Sequence, residues 1–122
     1  MAIEYNLPMG EADSKYIDLA TGLPRVANNE MLYKKLLAKF EASVDIAAFD
    51  SALQSNDYEK AGEVVHAAKG IAGNLSLAAF YDNSSVLMDQ LRGGGVPEQE
   101  NTDAFRRLYD ETVEAINVYL SD

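Results

Sequence analysis

The chain has no cysteine, no tryptophan and a single histidine among its 122 residues. Without cysteine there can be neither disulfides nor thiolate chemistry. One histidine and no thiolate leave a zinc site without its usual ligands, so no metal centre is expected. Proline is scarce, and only Pro97 follows Arg25. Bases are also few: ten Lys and Arg stand against twenty Asp and Glu, a net charge of −10, which argues against a nucleic-acid partner. No apolar run approaches the roughly 20 residues that a membrane span requires. The N-terminus, Met1-Ala-Ile-Glu-Tyr-Asn-Leu-Pro8, has neither the basic start nor the apolar stretch of a secretory signal. The expectation is a cytoplasmic protein with no membrane association.

What is present is 48% apolar residues in a chain long enough for one domain with one core. There is no sustained alternation of apolar and polar residues, and the patterns have helical period. Residues 1–12 read as an irregular arm, with Pro8 and Gly10. A short helix fits 13–20, capped by Asp13 or Ser14 and closed by Gly22 and Pro24. Asn28 or Asn29 can cap a long helix to about Ser55, with Met31 (or Leu32), Leu36, Phe40, Val44, Ala48 and Leu53 as its stripe and a bend near Asp45. Asn56 and Asp57 open a helix to about Ser76. Another covers Ala78–Leu91, with Phe80, Ser84, Leu87 and Leu91 inward, and Gly93-Gly94-Gly95-Val-Pro97 ends it. The last begins near Asn101 or Thr102 and carries Phe105, Leu108 (or Tyr109), Thr112, Ile116 and Tyr119 or Leu120. The predicted fold is all-α: an antiparallel four-helix bundle over residues 13–122, with a short additional N-terminal helix. The triple glycine lacks the strand before it and the Lys-Ser/Thr after it that a phosphate loop needs.

The histidine sits in His66-Ala-Ala-Lys69-Gly70-Ile-Ala-Gly73-Asn74-Leu-Ser-Leu. A glycine inside a helix costs about 1 kcal/mol relative to alanine, so two beside the lone histidine call for a reason. On a helical wheel, Tyr58, Ala61, Val65, Ala68, Ala72 and Leu75 share one narrow apolar arc that must face the core. His66, Gly70 and Gly73 fall away from that arc at i, i+4 and i+7, with Lys69 at its flank, at i+3 from the histidine. The surface so formed lacks large side chains on the C-terminal side of the imidazole, where a partner's backbone could come close.

An exposed imidazole offers a ring nitrogen that can act as a nucleophile. A helix surface lacks the concave pocket and general base of a hydrolase, and no carboxylate pair has hydrolase or lyase spacing. A nucleophile beside a cation suits acceptance of a phosphoryl group from a second protein, with Lys69 neutralising part of its charge.

These residues resemble the histidine-containing phosphotransfer (HPt) family, the relay modules of multistep two-component signalling. The family pattern of His, two variable residues, Lys-Gly, small residues and a Leu-Gly pair stands here as His66-Ala-Ala-Lys69-Gly70-Ile-Ala72-Gly73-Asn74-Leu75-Ser76. A second block, Gly22-Leu-Pro-Arg-Val-Ala-Asn-Asn29-Glu-Met-Leu-Tyr33-Lys-Lys-Leu-Leu37-Ala-Lys-Phe40, is similar to the segment before the long helix in domains attached to hybrid sensor kinases. The resemblance covers about residues 16–120. It implies a phosphoryl carrier without autonomous kinase activity, with His66 phosphorylated and Lys69 stabilising the phosphate. It implies response-regulator receiver domains and a hybrid sensor histidine kinase as partners. It also implies no cofactor on this chain, with Mg²⁺ held by the receiver. A monomer is expected.

Two positions depart from the pattern. Ser76 replaces the usual glycine, and Met88 stands about 22 residues after the histidine, where many members place a Gln or Glu that orients the imidazole. Asp89 and Gln90 are adjacent, but a shift of one or two residues turns a side chain by roughly 100–200°. The docking face is expected around His66, Gly70 and Gly73, with Tyr16 and Ile17 of the first short helix. The acidic last segment, seven acids against Arg106 and Arg107 over residues 98–122, is expected to be a solvated face. The alternative is an HPt-like bundle that binds a receiver and transfers nothing.

Overall fold

The computed structural model describes residues 15–121. Among them there is no strand. The chain forms α1 (Leu19–Gly22), a 3₁₀ turn (Leu23–Val26), α2 (Glu30–Leu37), α3 (Phe40–Ser43), α4 (Ile46–Gln54), α5 (Tyr58–Leu75), α6 (Ala78–Leu91), a second 3₁₀ turn (Arg92–Gly94) and α7 (Gln99–Leu120). It is an all-α helical bundle. The central helix α5 packs against α4 and α6, and α6 packs against α7. Short connections force these consecutive helices to double back on one another. No described helix is long and apolar enough to cross a membrane.

Side-chain caps set several starts. Asn29 accepts from the Leu32 amide at 3.1 Å, Asp45 from Ala48 at 3.0 Å and Asp57 from Lys60 at 3.1 Å, each satisfying one of the orphan donors of a first turn. Helix α5 ends where Ser76 turns left-handed, at φ 58°. There the Leu77 amide reaches back to the Ala72 carbonyl at 2.9 Å and the Ser76 amide to Gly73 at 3.4 Å, the pairing of a Schellman cap. A glycine would take this conformation at no steric cost, which is the physical content of the Ser76 departure.

The buried side of α5 is made of Ala61, Val65, Ala68, Ala72 and Leu75, as the wheel predicts; Tyr58 is only half-buried. These residues are mostly small, so neighbouring helices approach closely. Phenylalanines from four helices fill the space beside them. Phe49 meets Phe105 at 4.5 Å between ring centroids, Phe105 meets Phe80 at 4.9 Å, and Phe80 meets Phe40 edge-on at 5.5 Å. Helix α6 has the expected bounds and buries Phe80, Ser84, Leu87 and Leu91.

Three expectations are corrected. The helix predicted for 29–55 is three pieces, broken where Val44 becomes extended (φ −105°, ψ 117°) and Asp45 caps anew. Its stripe also differs: Tyr33, Leu37, Phe40, Val44, Phe49 and Ala52 are buried, whereas Met31 is 71% exposed. Tyr33 wins the inward position because its hydroxyl donates to the buried Leu75 carbonyl and its ring meets Tyr119 edge-on at 6.4 Å. The first short helix does not fill 13–20. The chain is non-helical at Ile17 and Asp18, and α1 then passes directly into the 3₁₀ turn, with Pro24 in that turn's first positions. Gly22 is therefore no helix stop. It is buried, and a Cβ there would collide with the Tyr33 hydroxyl. Finally, α7 starts at Gln99, earlier than expected, because Gln90 and Glu98 clasp one another: the Glu98 amide donates to Gln90 Oε1 at 3.0 Å, and Gln90 Nε2 donates to Glu98 Oε1 at 2.8 Å. The predicted 1–12 arm lies outside the described residues.

Candidate functional site

Helix α5 carries the candidate residues. His66 is exposed and follows the buried Val65, so its ring leaves the bundle on the solvent side. It has no hydrogen-bond or ion-pair partner among the described residues. The carboxylate nearest in sequence, Glu63, lies one turn earlier and is 3.6 Å from Lys60 Nζ.

Gly70 is exposed, and a Cβ built there meets no atom within 4 Å. The clearance expected beside the histidine is present at this position. Gly73 is different. It is half-buried, and a Cβ there would lie 3.2 Å from Cε1 of Tyr81 on α6. The wheel of α5 cannot register a ring arriving from the next helix, so Gly73 is corrected from an open docking position to a seat for Tyr81.

Lys69 is half-buried at the flank of the stripe, a position suited to a long apolar stem that carries a charged head. Its Nζ lies 5.8 Å from the centroid of the Tyr81 ring, within cation–π range. No carboxylate among the described residues pairs with it. His66, Lys69 and Gly70 thus share one face of α5, and Tyr81 closes the C-terminal end of that face over Gly73.

Tyr16 and Ile17 do not join them as expected. Ile17 is 0% exposed and belongs to the core, because the apolar side chain turns inward where the short helix is interrupted. It cannot form part of a docking surface in this fold. Tyr16 is half-buried and donates to Glu111 Oε1 at 3.0 Å, which ties it to α7. Burial, and then the Glu111 carboxylate, push its hydroxyl above the ordinary value of 10.0. The adjoining Asp18 amide donates to the Ser76 carbonyl at 2.9 Å, and Thr21 Oγ1 and Ser76 Oγ lie 2.9 Å apart. The segment is therefore anchored at the end of α5, about 15 Å along the axis from His66 at 1.5 Å per residue.

None of the three residues considered as an orienting partner bonds to the imidazole. Met88 is half-buried against the core. Asp89 pairs with Arg92 at 3.2 Å, and Gln90 is held by Glu98. A cleft of about 450 Å³ lies beyond Gly73, between Thr21, Arg25, Ser76, Tyr81 and Asp82, and does not include His66. Among the described residues no three His, Asp or Glu side chains converge as a metal site.

Sequence reasoning missed Tyr81. The available signal was an aromatic residue left outside the inward set of Ala78–Leu91, one turn into a helix that must fold back along α5. No protein-family model, curated protein or solved structure matches this chain.

Proposed function

We propose that this chain is a histidine phosphotransfer protein that carries a phosphoryl group between receiver-domain aspartates through His66. One observation carries the reading: the lone imidazole stands exposed on α5 with Lys69 one turn away and open space over Gly70. Among the described residues, no atom lies within 4 Å of a Cβ built at Gly70, on the side where a partner would approach.

In the forward step, the lone pair of an imidazole nitrogen attacks the phosphorus of a receiver aspartyl phosphate. A P–N bond forms, the acyl O–P bond breaks, and the aspartate carboxylate leaves. The return step onto a second aspartate reverses these events. Lys69 donates to the phosphate oxygens and offsets part of their charge. The partner supplies the acid site and its Mg²⁺, and this chain supplies a nucleophile and access to it. No autonomous kinase activity is expected of it.

The lack of any hydrogen bond to His66 among the described residues favours a second reading, a bundle that binds a receiver without taking its phosphate. The two separate when the protein is incubated with a receiver carrying labelled phosphate. Phosphotransfer predicts label on wild type and none on His66→Gln. Complex formation with label retained on the receiver would support binding alone.

A further inference from the structure

We propose that Tyr81 is the positioning residue for Lys69, holding its ammonium on the His66 face of α5 in readiness for a phosphoryl group. The inference rests on the phosphotransfer reading above.

Four observations lead to it. The Lys69 ammonium lies over the Tyr81 ring, 5.8 Å from its centroid. It has no carboxylate partner among the described residues, so its charge is not already neutralised by an acid. Gly73 permits the arrangement, because a side chain there would press on Tyr81 Cε1. Finally, the Tyr81 hydroxyl has no hydrogen-bond partner among the described residues, whereas those of Tyr16, Tyr33, Tyr58, Tyr109 and Tyr119 all do. At 38% exposure, the part of Tyr81 that the protein uses is its ring face.

A free lysine samples many rotamers, and ordering it at the moment of reaction opposes the contact it makes. A ring face restricts that sampling. It also holds the cation more weakly than a carboxylate would, and leaves the charge unneutralised. A phosphoryl dianion on His66 then accepts a stronger, charge-assisted hydrogen bond from the ammonium while the ring still restrains it. Lys69 has the ring on the C-terminal side of its face and the histidine one turn to the N-terminal side.

The test uses the full chain, with phosphoramidate as donor, so that no receiver is needed. Its P–N bond breaks, ammonia leaves and a P–N bond to His66 forms. Phosphohistidine decay is followed by ³¹P NMR, and the Lys69 Cε–Hε resonance, assigned by its loss in Lys69→Ala, is followed by ¹H–¹³C correlation. Wild type and Tyr81→Phe are expected to share a ring-shifted Lys69 resonance and the same phosphohistidine half-life. Tyr81→Leu should lose the shift and shorten the half-life roughly two- to fivefold, the range of an exposed cation–π contact. The double variant Lys69→Ala/Tyr81→Leu should decay no faster than Lys69→Ala alone. Tyr81→Met serves in the same way if Tyr81→Leu does not fold. An unchanged Lys69 resonance in Tyr81→Leu, an unchanged half-life, or a full additional loss in the double variant overturns the proposal. Failure of wild type to take up phosphate on His66 from phosphoramidate and from a phosphorylated receiver alike overturns the phosphotransfer reading and the role given to Lys69 with it. The resonance alone would then still report whether the ring holds the ammonium.

Discussion

Gly70→Ala and Gly73→Ala are predicted to diverge, although both replace a glycine on the same side of one helix. Gly70 lies well inside the 18-residue α5, and its new methyl would meet nothing within 4 Å. The helix-propensity gain of about 1 kcal/mol should therefore appear almost undiminished. With an unfolding entropy of about 2.1 cal/mol/K per residue, a domain of 122 residues should melt on the order of 4 °C higher. Gly73 lies in the last turn, where the propensity gain is smaller, and its methyl would stand 3.2 Å from Tyr81 Cε1. The ring must yield by a few tenths of an ångström, so the net change should be near zero or destabilising by up to about 1 kcal/mol. Thermal and urea unfolding of both variants in one buffer, followed by circular dichroism at about 222 nm, measures the difference. Gly70→Leu should also fold while slowing phosphoryl transfer, because Gly70 is exposed and the larger side chain would stand in the way of an incoming partner. Destabilisation by Gly70→Ala, or equal stabilisation by both alanines, would refute the placement of these glycines.

Lys69→Ala should reduce the transfer rate or the phosphohistidine lifetime several-fold, as the loss of a contact of about 0.5–1.5 kcal/mol implies, with little change in thermal unfolding; unaltered transfer would remove Lys69 from the mechanism. Gly22→Ala should destabilise by about 1–3 kcal/mol, because its methyl displaces the Tyr33 hydroxyl from the buried Leu75 carbonyl. The loss should be smaller in a Tyr33→Phe background, which a pair of melting curves would show. Burial raises the Tyr16 and Tyr109 hydroxyls above 10.0, with Glu111 adding to the effect at Tyr16 and Glu41 at Tyr109. The folded state thus holds these protons more tightly than the unfolded state. Their contribution to stability should be fully present below that value and be lost as pH rises through it, and urea midpoints across the alkaline range should show a shallower fall for Tyr109→Phe than for wild type.

The sequence made α5 and α6 legible because their signals agree: an Asp57 cap, a narrow apolar arc and a short connection all point the same way. The same agreement made α7 readable at Phe105, Thr112, Ile116 and Tyr119. The stretch from Asn29 to Ser55 was ambiguous for a physical reason. Leu36 and Leu37 offer two stripes one residue apart, and only the Tyr33 hydroxyl bond to Leu75, a contact 42 positions away, decides between them. Ile17 illustrates the same limit, since a short segment has too few residues for its inward side to show. At the site, His66, Lys69 and Gly70 could be placed from one helix's own geometry. Gly73 and Tyr81 could not, because their relation is a contact between helices that neither periodicity contains.

The most direct test of the account is a phosphoryl round trip. The protein is incubated with a receiver carrying labelled aspartyl phosphate, separated from it, and mixed with a second, unphosphorylated receiver. The account predicts acid-labile label on His66 after the first step, its passage to the second receiver in the next, and no label in either step with His66→Gln. Label that never leaves the first receiver, or that reaches the second equally well through His66→Gln, would contradict it.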